Sequence, residues 1–346
     1  MYDIAIVGAG PVGLYAAKLL ERNLKVLVLE DHKIIGMKAC SGLYSNKLSS
    51  FVDIKKSWIE HHVKGARFHS TEVEIKLRKS RATASVMDRD KFAQDLAKQI
   101  KSTILFQTKV TSIHITDDYV EINTNNPKRK RIQAKMILGC DGANSIVRKH
   151  FGVKPKEIVN GLIAITKEKN KDDMVDLWFD KTKIKDGFFW KIPRGKTTEY
   201  GALGNKVTFK QLEDYFNLKE YEKHAAFIPT GPCKTYFNRT LLLGDAAGIT
   251  KPWSFGGVIY GFTCAKIANK VISKAFKTGN FSEKSLKEYE TLWRQAIGNS
   301  ITLGMLSRGL FKKMGNRTLN LIFGRLKKVK RLNKLDMDLP SLDIFK

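Results

Sequence analysis

The chain has 346 residues, of which 42% are hydrophobic, so it can bury one large or two modest cores, and wholesale disorder is excluded. Basic residues outnumber acidic ones by 62 to 34, a net charge of +28 that would attract nucleic acid, anionic lipid headgroups or an acidic protein. A lysine-rich genome or a thermophilic source would give the same excess of charge without any such partner. The apolar runs are too short to cross a bilayer, and we see no signal-like segment before the first predicted strand at Tyr2.

The four cysteines show neither a CxxC pair nor the spacing of metal ligands; they are Cys40, Cys140, Cys233 and Cys264. We therefore predict no disulfide framework and no metal site. Unpaired cysteines are typical of a reducing compartment, so the expected location is the cytoplasm.

The N-terminal 30 residues predict a strand, a glycine turn, a helix and a second strand. In chain order these are an apolar strand from Tyr2, the glycines Gly8, Gly10 and Gly13, a helix over residues 14–22 and a strand over Val26–Leu29 that ends at Glu30. In such a unit the first glycine permits the tight turn, the second lets the backbone approach a pyrophosphate, and the third lets the helix pack against the sheet. Glu30, 20 residues after Gly10, is placed to accept hydrogen bonds from ribose hydroxyls. Because strand, helix, second strand and acid agree, the pattern predicts a dinucleotide site.

Further along the chain, residues 87–100 predict a helix that begins near Asp88, and residues 110–124 predict a hairpin around Asp117 and Asp118. Strand-like segments over residues 155–235, together with residues 61–81, predict an antiparallel sheet inserted into the nucleotide-binding domain. We expect three regions: a discontinuous nucleotide-binding domain (1–60, 82–154 and 236–281), a substrate-binding sheet domain (61–81 and 155–235) and a basic helical C-terminal region (282–346).

Two further glycine turns each follow an apolar strand: "GCDGANS", with Asp141 and Gly142, and "LLLGDAAG", with Gly244 and Asp245. Each alone is compatible with an ordinary Asp-Gly or Gly-Asp turn. In this order after the first motif they indicate a flavoprotein. The sequence has no second GxGxxG motif, which disfavours a dehydrogenase with its own nicotinamide-binding domain.

These segments resemble the geranylgeranyl reductase family, FAD-dependent enzymes of the p-hydroxybenzoate hydroxylase-like flavoprotein fold, from Met1 to about Thr291. The resemblance rests on the first glycine motif and on "CSGL", "MDRDKFAQDLA", "GCDGANSIVRK", "FFWKIPR" and "LLLGDAAG…KPWSFGGV". It implies an α/β fold with a Rossmann-like FAD-binding domain, an inserted antiparallel-sheet substrate domain and a helical C-terminal region.

The resemblance implies FAD as the cofactor. It also implies a substrate site in which aromatic residues line the cavity that holds the prenyl chain. The implied cofactor-binding residues are Gly8, Gly10, Gly13, Glu30, Cys40, Ser41, Gly42, Arg89, Asp141, Gly142, Gly244, Asp245, Gly256, Gly257 and Val258. The implied substrate-binding residues are Phe188, Trp190 and Pro193, with Phe189 as a further wall residue. The alternatives are an exposed arginine at the helix start for Arg89 and ordinary sheet core for the aromatic residues. Phe255 departs from the family, since relatives commonly carry a glycine there, and Ile192 replaces an aromatic residue.

The implied reaction is reduction of geranylgeranyl double bonds, in archaeal-type ether lipid biosynthesis, by hydride from reduced flavin N5 together with a proton. Cys40 is the candidate catalytic residue, because its loop lies near the isoalloxazine in the family and its thiol would donate a proton or shape the pocket. The alternative is that Cys40 is a small buried hydrophobe.

The segment from Arg308 to Lys334 holds ten Lys or Arg residues and no acid, interleaved with apolar residues such as Leu310, Phe311, Leu319 and Phe323. This pattern predicts an amphipathic helix at an anionic membrane surface, on the cytoplasmic face; a solvated basic helix packed on the domain is the alternative. The expected partners are a prenylated lipid and an electron donor, ferredoxin or NAD(P)H, with no specific nucleic acid. Two other functions stay open: a monooxygenase of the same fold, and a non-catalytic flavoprotein adaptor. The first is disfavoured because Gly248 and "SFGGV" stand where monooxygenases usually carry a histidine and Gly-Gln-Gly.

Overall fold

The computed structural model describes residues 1–36 and 39–329. Its strands, in chain order, are β1 (Tyr2–Val7), β2 (Val26–Leu29), β3 (Leu43–Ser45), β4 (Ile59–Val63), β5 (Gly65–His69), β6 (Glu74–Arg78), β7 (Ala84–Met87), β8 (Thr103–Leu105), β9 (Val110–Ile115), β10 (Val120–Thr124), β11 (Arg131–Gly139), β12 (Glu157–Thr166), β13 (Met174–Trp178), β14 (Phe188–Pro193), β15 (Thr198–Gly204), β16 (Glu222–Thr230), β17 (Tyr236–Phe237) and β18 (Thr240–Leu242).

The helices are α1 (Pro11–Leu20), α2 (Arg89–Ala97), α3 (Ile146–His150), α4 (Phe209–Phe216), α5 (Val258–Thr278), α6 (Glu283–Trp293), α7 (Asn299–Lys313) and α8 (Asn316–Lys327). Short 3-10 helices cover Asn46–Ser50, Lys56–Trp58 and Gly244–Ala247, and a π-helical turn at Arg294–Gly298 lies between α6 and α7. Among the described residues, no helix is both long and apolar enough to span a membrane.

The described chain divides into two compact units. The first comprises residues 1–36, Asp90–Glu157 and Pro229–Thr302, and the second comprises residues 39–89, Ile158–Ile228 and 303–329.

The first unit is built on an eight-stranded sheet whose central path runs β17-β18-β11-β1-β2-β8. The pairs from β18 to β8 are parallel, with Ile4 opposite both Met136 and Val26, while β9 and β10 form the predicted antiparallel hairpin. Strands β1 and β2 are apolar and almost wholly buried, as expected for parallel strands covered on both faces. The predicted strand–turn–helix–strand unit is confirmed, with α1 beginning at Pro11, where a missing N–H costs nothing.

The second unit contains a seven-stranded sheet of order β16-β12-β15-β14-β13-β5-β6 and a three-stranded sheet of order β3-β7-β4. Antiparallel pairs join β12, β15, β14 and β13 in succession, and β5 to β6, but β13 and β5 run parallel. The sheet is therefore mixed rather than purely antiparallel, since β5 arrives from a distant part of the chain.

The boundaries of the compact units differ from the predicted domains in several places. Residues 39–60 and 82–89 belong to the second unit, because β3 and β7 pair with each other and β7 pairs with β4. Helix α6 belongs to the first unit, because Tyr289 donates to the Leu242 carbonyl at 3.0 Å and Trp293 donates to Thr235 at 3.0 Å. The functional labels given to the domains stay predictions.

The C-terminal helices α7 and α8 place part of their apolar surface on the second unit. Phe179 packs edge-on against Phe311 and Phe323, with ring centroids 5.6 and 5.9 Å apart, and Leu319 is buried. These residues of the predicted amphipathic segment therefore pack against side chains of the same unit. Residues 330–346 of the predicted basic region lie outside the described residues.

The glycine at position 201 makes room for the indole of Trp190 on the neighbouring strand. A Cβ built on Gly201 would lie 1.9 Å from Trp190 Cε2, and the two residues are paired across β14 and β15. We predict that Gly201→Ala lowers the apparent free energy of unfolding by about 3 kcal/mol, because the strand or the indole must shift. Urea denaturation followed by circular dichroism measures the change.

Gly324→Ala is the matched control, because no heavy atom lies within 4 Å of a Cβ at that position of α8. Alanine there should stabilise the helix by about 0.5 kcal/mol. Equal stability of the two variants would contradict the packing described.

Candidate functional site

The first glycine turn is shaped by close backbone contacts within the first unit. Gly8 has φ +99°, and a Cβ there would lie 2.5 Å from the Cys140 carbonyl oxygen; a Cβ on Gly13 would lie 2.1 Å from the Gly8 oxygen. Gly10 differs, since no heavy atom lies within 4 Å of its Cβ position. Gly8 and Gly13 are thus required by packing, whereas Gly10 leaves space open at the start of α1.

Glu30 lies at this turn, as predicted. Its Oε2 accepts the Ala9 N–H at 2.8 Å, and its Oε1 accepts the His32 N–H at 3.0 Å. The carboxylate is therefore held beside the glycine turn at the end of β2, where a ribose would lie in a fold of this type.

Asp141 follows β11 and accepts hydrogen bonds from the first turn of the short helix α3. Its Oδ2 accepts the N–H groups of Ile146 at 2.7 Å and Val147 at 3.2 Å, whereas its buried Oδ1 has no hydrogen-bond partner among the described residues. Burial raises the pKa of this carboxyl above its usual value, although these hydrogen bonds oppose the rise. An unsatisfied buried acceptor beside the glycine turn is an open position for a polar group of a ligand.

Sequence reasoning missed Arg148, which joins the second and third glycine turns. Its guanidinium donates to the Ala143 carbonyl at 2.5 Å, to the Ala246 carbonyl at 3.0 Å and to the Asp245 carbonyl at 3.4 Å. The side chain is 4% exposed, so its charge is satisfied almost entirely by protein carbonyls. The sequence signal was an arginine three residues after Ser145, which caps α3.

The third turn places Asp245 against the start of α5. Gly244 has φ +59°, and a Cβ on Gly257 would lie 2.6 Å from Asp245 Oδ1, so the pairing of acid and glycine is tight. Gly257 precedes Val258, the first residue of α5. Phe255 has φ +56°, the left-handed conformation that glycine favours.

These residues of the first unit fit a bound dinucleotide. The open space at Gly10 and the N-terminus of α1 suit a pyrophosphate, Glu30 suits ribose hydroxyls, and Asp141 offers a buried oxygen without a partner. Gly142, with φ +72°, completes the second turn. The individual contacts with FAD stay predictions.

The loop that carries Cys40 lies in the second unit. Cys40 is exposed, and its Sγ accepts the Gly42 N–H at 3.5 Å. Gly42 has φ +64°, and a Cβ there would lie 2.2 Å from the Met87 carbonyl oxygen, so the loop is pressed against β7. Burial raises the pKa of Cys233 to about 11 and that of Cys264 to about 12. Cys40, in contrast, is exposed, so it is not the small buried hydrophobe of the alternative interpretation.

Glu199, which sequence reasoning did not select, connects two of the motifs. Its Oε1 accepts the Ser41 hydroxyl proton and the Trp190 indole N–H, the latter at 2.8 Å, and its Oε2 accepts an Arg194 N–H at 2.8 Å. Glu199 has no solvent exposure. Its signal in the sequence was a charged residue inside the otherwise uncharged segment "TEYGALG".

The structure brings together only two of the three predicted substrate residues. Phe188 and Trp190 share one face of β14, with ring centroids 6.1 Å apart, whereas strand alternation places Pro193 on the opposite face with Phe189. Phe189 is 1% exposed and stacks on Tyr215 at 3.9 Å, so its ring packs in the core of the second unit.

Arg89 is the first residue of α2, as expected from the sequence. Its role in cofactor binding stays a prediction, as does that of Gly256, which lies between Phe255 and Gly257 in the third turn.

A larger side chain at Gly10 tests the dinucleotide site directly, because it would fill the open space there. Gly10 has φ −68°, which any residue adopts, so Gly10→Val should fold normally while its side chain enters the space left for phosphate. We predict that the dissociation constant for FAD rises by more than about tenfold. Flavin fluorescence titration measures it, with circular dichroism as the control for folding and Gly324→Ala as the control variant. A folded Gly10→Val protein that keeps wild-type FAD affinity would refute the assignment.

Comparisons with known proteins agree with the geometry. Residues 1–199 match the family described as an FAD binding domain. An uncharacterized protein of Methanocaldococcus jannaschii is 31% identical, with 99% of this chain and 96% of that protein covered. A digeranylgeranylglycerophospholipid reductase of Methanosarcina acetivorans is 29% identical over 95% of this chain and 89% of its own length.

Among solved structures, a geranylgeranyl bacteriochlorophyll reductase-like protein from Thermoplasma acidophilum superposes with a TM-score of 0.85 at 19% identity, with 99% of this chain and 94% of that chain covered. The flavin-dependent halogenase CmlS superposes with a TM-score of 0.68 at 16% identity, over 86% of this chain and 63% of its own. These likenesses show a fold shared with flavoproteins of different activities. The family match shows that the chain belongs to the family of FAD binding domains, and with the relatives named as reductases it identifies the chain as an FAD-dependent oxidoreductase similar to digeranylgeranylglycerophospholipid reductases.

Proposed function

We propose that this chain reduces the carbon–carbon double bonds of geranylgeranyl groups in archaeal-type ether lipids. The observation that carries the proposal is that relatives named digeranylgeranylglycerophospholipid reductase align with nearly the whole chain, up to 100% of it for the Methanococcus vannielii protein at 25% identity. The contact between Ser41 and Trp190 through Glu199 supports it, because it unites the two segments on which the family resemblance is most specific.

An isolated prenyl double bond is not polarised, so its reduction requires a hydride and a proton together. Bound FAD, once reduced, supplies the hydride. The protein residues must exclude water, hold the alkene and deliver the proton, while partial positive charge develops on the tertiary carbon. The aromatic faces of Phe188 and Trp190 suit both the apolar chain and that charge.

Cys40 is the proposed proton donor. Its thiol is exposed in the protein without ligands, and it lies on a loop fixed by Gly42 and Ser41. We predict that Cys40→Ala retains FAD but lowers the rate of alkene reduction by about a hundredfold, in the range of a lost general acid. Anaerobic turnover with dithionite, followed by lipid mass spectrometry, measures the loss as missing gains of two hydrogens.

Cys233→Ala is the control for this variant, because Cys233 is buried and plays no part in the proposal. Wild-type turnover by flavin-loaded Cys40→Ala would overturn the role of the thiol.

The need for oxygen distinguishes the monooxygenase alternative from the proposed reductase. A reductase consumes its alkene without oxygen, whereas a monooxygenase requires it and adds an oxygen atom to the product. Whether ferredoxin or NAD(P)H reduces the flavin stays a prediction with two candidates; comparing them as donors under the same anaerobic conditions decides between them.

We further propose that α7 contacts an anionic membrane surface from which the lipid substrate is taken. Leu306 and Leu310 are 64% and 61% exposed, one helical turn apart, and Lys313 lies one turn further along the same side. Exposed leucines flanked by cations are complementary to the interface of an anionic bilayer. Arg317 and Arg325 add exposed positive charge on α8.

The double variant Leu306→Glu/Leu310→Glu tests this surface. We predict that its binding to vesicles containing phosphatidylglycerol falls by about tenfold or more, because two apolar side chains no longer enter the interface. Vesicle sedimentation measures binding. Phe227→Glu is the control, since Phe227 is 55% exposed on β16. Unchanged binding of the double variant would exclude this face of α7. Equal binding of the wild type to neutral vesicles would exclude a preference for an anionic surface.

A further inference from the structure

We propose that Glu199 is a positioning residue of the reaction, holding the Cys40 loop and the Trp190 indole on one carboxylate oxygen. This inference rests on the proposed function, to which it adds a residue that acts through Ser41 and Trp190. It concerns contacts within the second unit alone.

The carboxylate of Glu199 lies at a place where a charge is costly. Glu199 is on β15, which pairs with β12 on one side and β14 on the other, and all seven residues of that strand are buried. A carboxylate taken out of water must be compensated by hydrogen bonds or a counter-charge. A buried carboxylate in the middle of a sheet is therefore stable only with its hydrogen-bond partners. In turn, the carboxylate holds those partners in position.

Among the described residues, the side-chain hydrogen-bond partners of Glu199 come from the two motifs of the resemblance. Ser41 and Trp190 donate to Oε1, and Arg194 donates to Oε2 at 2.8 Å. The same Arg194 nitrogen also donates to the Ser41 carbonyl at 2.9 Å, so the loop is held through its side chain and through its backbone. Arg194 in addition pairs with Glu60 at 2.7 Å.

Strand register explains how the carboxylate reaches both groups. Glu199 is opposite Ile192 and Gly201 is opposite Trp190, so these residues share one face of the sheet. Because Gly201 has no side chain, the indole lies across its Cα and directs its N–H to the neighbouring Glu199. On the other face, Phe189 and Tyr200 belong to a separate apolar core.

The consequence for the reaction follows from this geometry. Ser41 is the residue next to Cys40, and the Gly42 N–H donates to the Cys40 sulfur, so fixing Ser41 limits where the thiol lies. Trp190 is fixed by the same oxygen. Glu199 therefore sets the position of the proton donor relative to the aromatic wall, and its loss should affect the chemical step more than binding of the lipid.

Glu199→Gln tests the inference while preserving the shape of the side chain. We expect kcat for anaerobic prenyl reduction to fall by about tenfold or more, with KM and FAD content within about twofold of wild type. A second readout needs no activity: hydrogen exchange of the peptide containing Ser41 and Gly42 should accelerate by about tenfold, while strands β1 and β11 exchange as in the wild type.

Ser41→Ala removes one bond to the carboxylate without touching the buried ion pair, so it serves if Glu199→Gln does not fold. The same faster exchange and lower kcat are expected, and Ser41→Thr, which keeps the hydroxyl, should restore both. Glu168→Gln is the charge-matched control, because Glu168 is a half-exposed carboxylate of the same unit that bonds Tyr200 and Lys191 instead.

Wild-type kcat together with wild-type exchange of the loop in Glu199→Gln and Ser41→Ala would overturn the inference. A wild-type protein that does not reduce prenyl lipids would instead refute the proposed function. In that case the exchange measurements alone still decide whether Glu199 holds the Cys40 loop.

Discussion

The buried carboxylate of Glu199 is the constraint around which the second unit arranges Ser41, Trp190 and Arg194. A charge with no solvent exposure is tolerated only where donors converge on it. Here the donors are a loop serine, an indole and an arginine, each from a different position in the chain. The loop before β3, the end of β14 and the start of β15 are consequently fixed together, although residues 41 and 199 are far apart in sequence.

The first unit is subject to a different constraint, which is that backbone groups must lie close to a ligand. Parallel strands β1, β11 and β18 end at one edge of the sheet, and each is followed by a glycine turn. The close approach of Gly8 and Gly13 to neighbouring backbone leaves no room for side chains, and Gly10 leaves space unfilled. Arg148 then links the second and third turns through carbonyl oxygens.

Local patterns predicted much of this structure. The spacing of Gly8, Gly10 and Gly13 and the acid at position 30 were sufficient to predict the first βαβ unit, because each has a local steric or hydrogen-bonding reason. The hairpin around Asp117 followed from alternation alone. Phe255 has a φ of +56°, a conformation that disfavours side chains, and no local pattern in the sequence predicts it.

Long-range features were not predictable from local patterns. The register between β14 and β15 decides that Trp190 faces Glu199 while Phe189 and Pro193 face the other way, and register depends on partners distant in sequence. The assignment of residues 39–60 to the second unit likewise depends on the pairing of β3 with β7. Arg148 and Glu199 have only weak local signals, because some of the hydrogen bonds that hold each one come from segments distant in sequence.

A single-turnover experiment tests the proposed reaction most directly. The purified protein, loaded with FAD and photoreduced without oxygen, is mixed with a geranylgeranyl ether lipid, and flavin absorbance and lipid mass are followed together. The proposed function predicts that the flavin reoxidises in step with saturation of one double bond per flavin. A flavin that stays reduced until oxygen is admitted, with the lipid unchanged in mass or carrying an added oxygen atom, would contradict it.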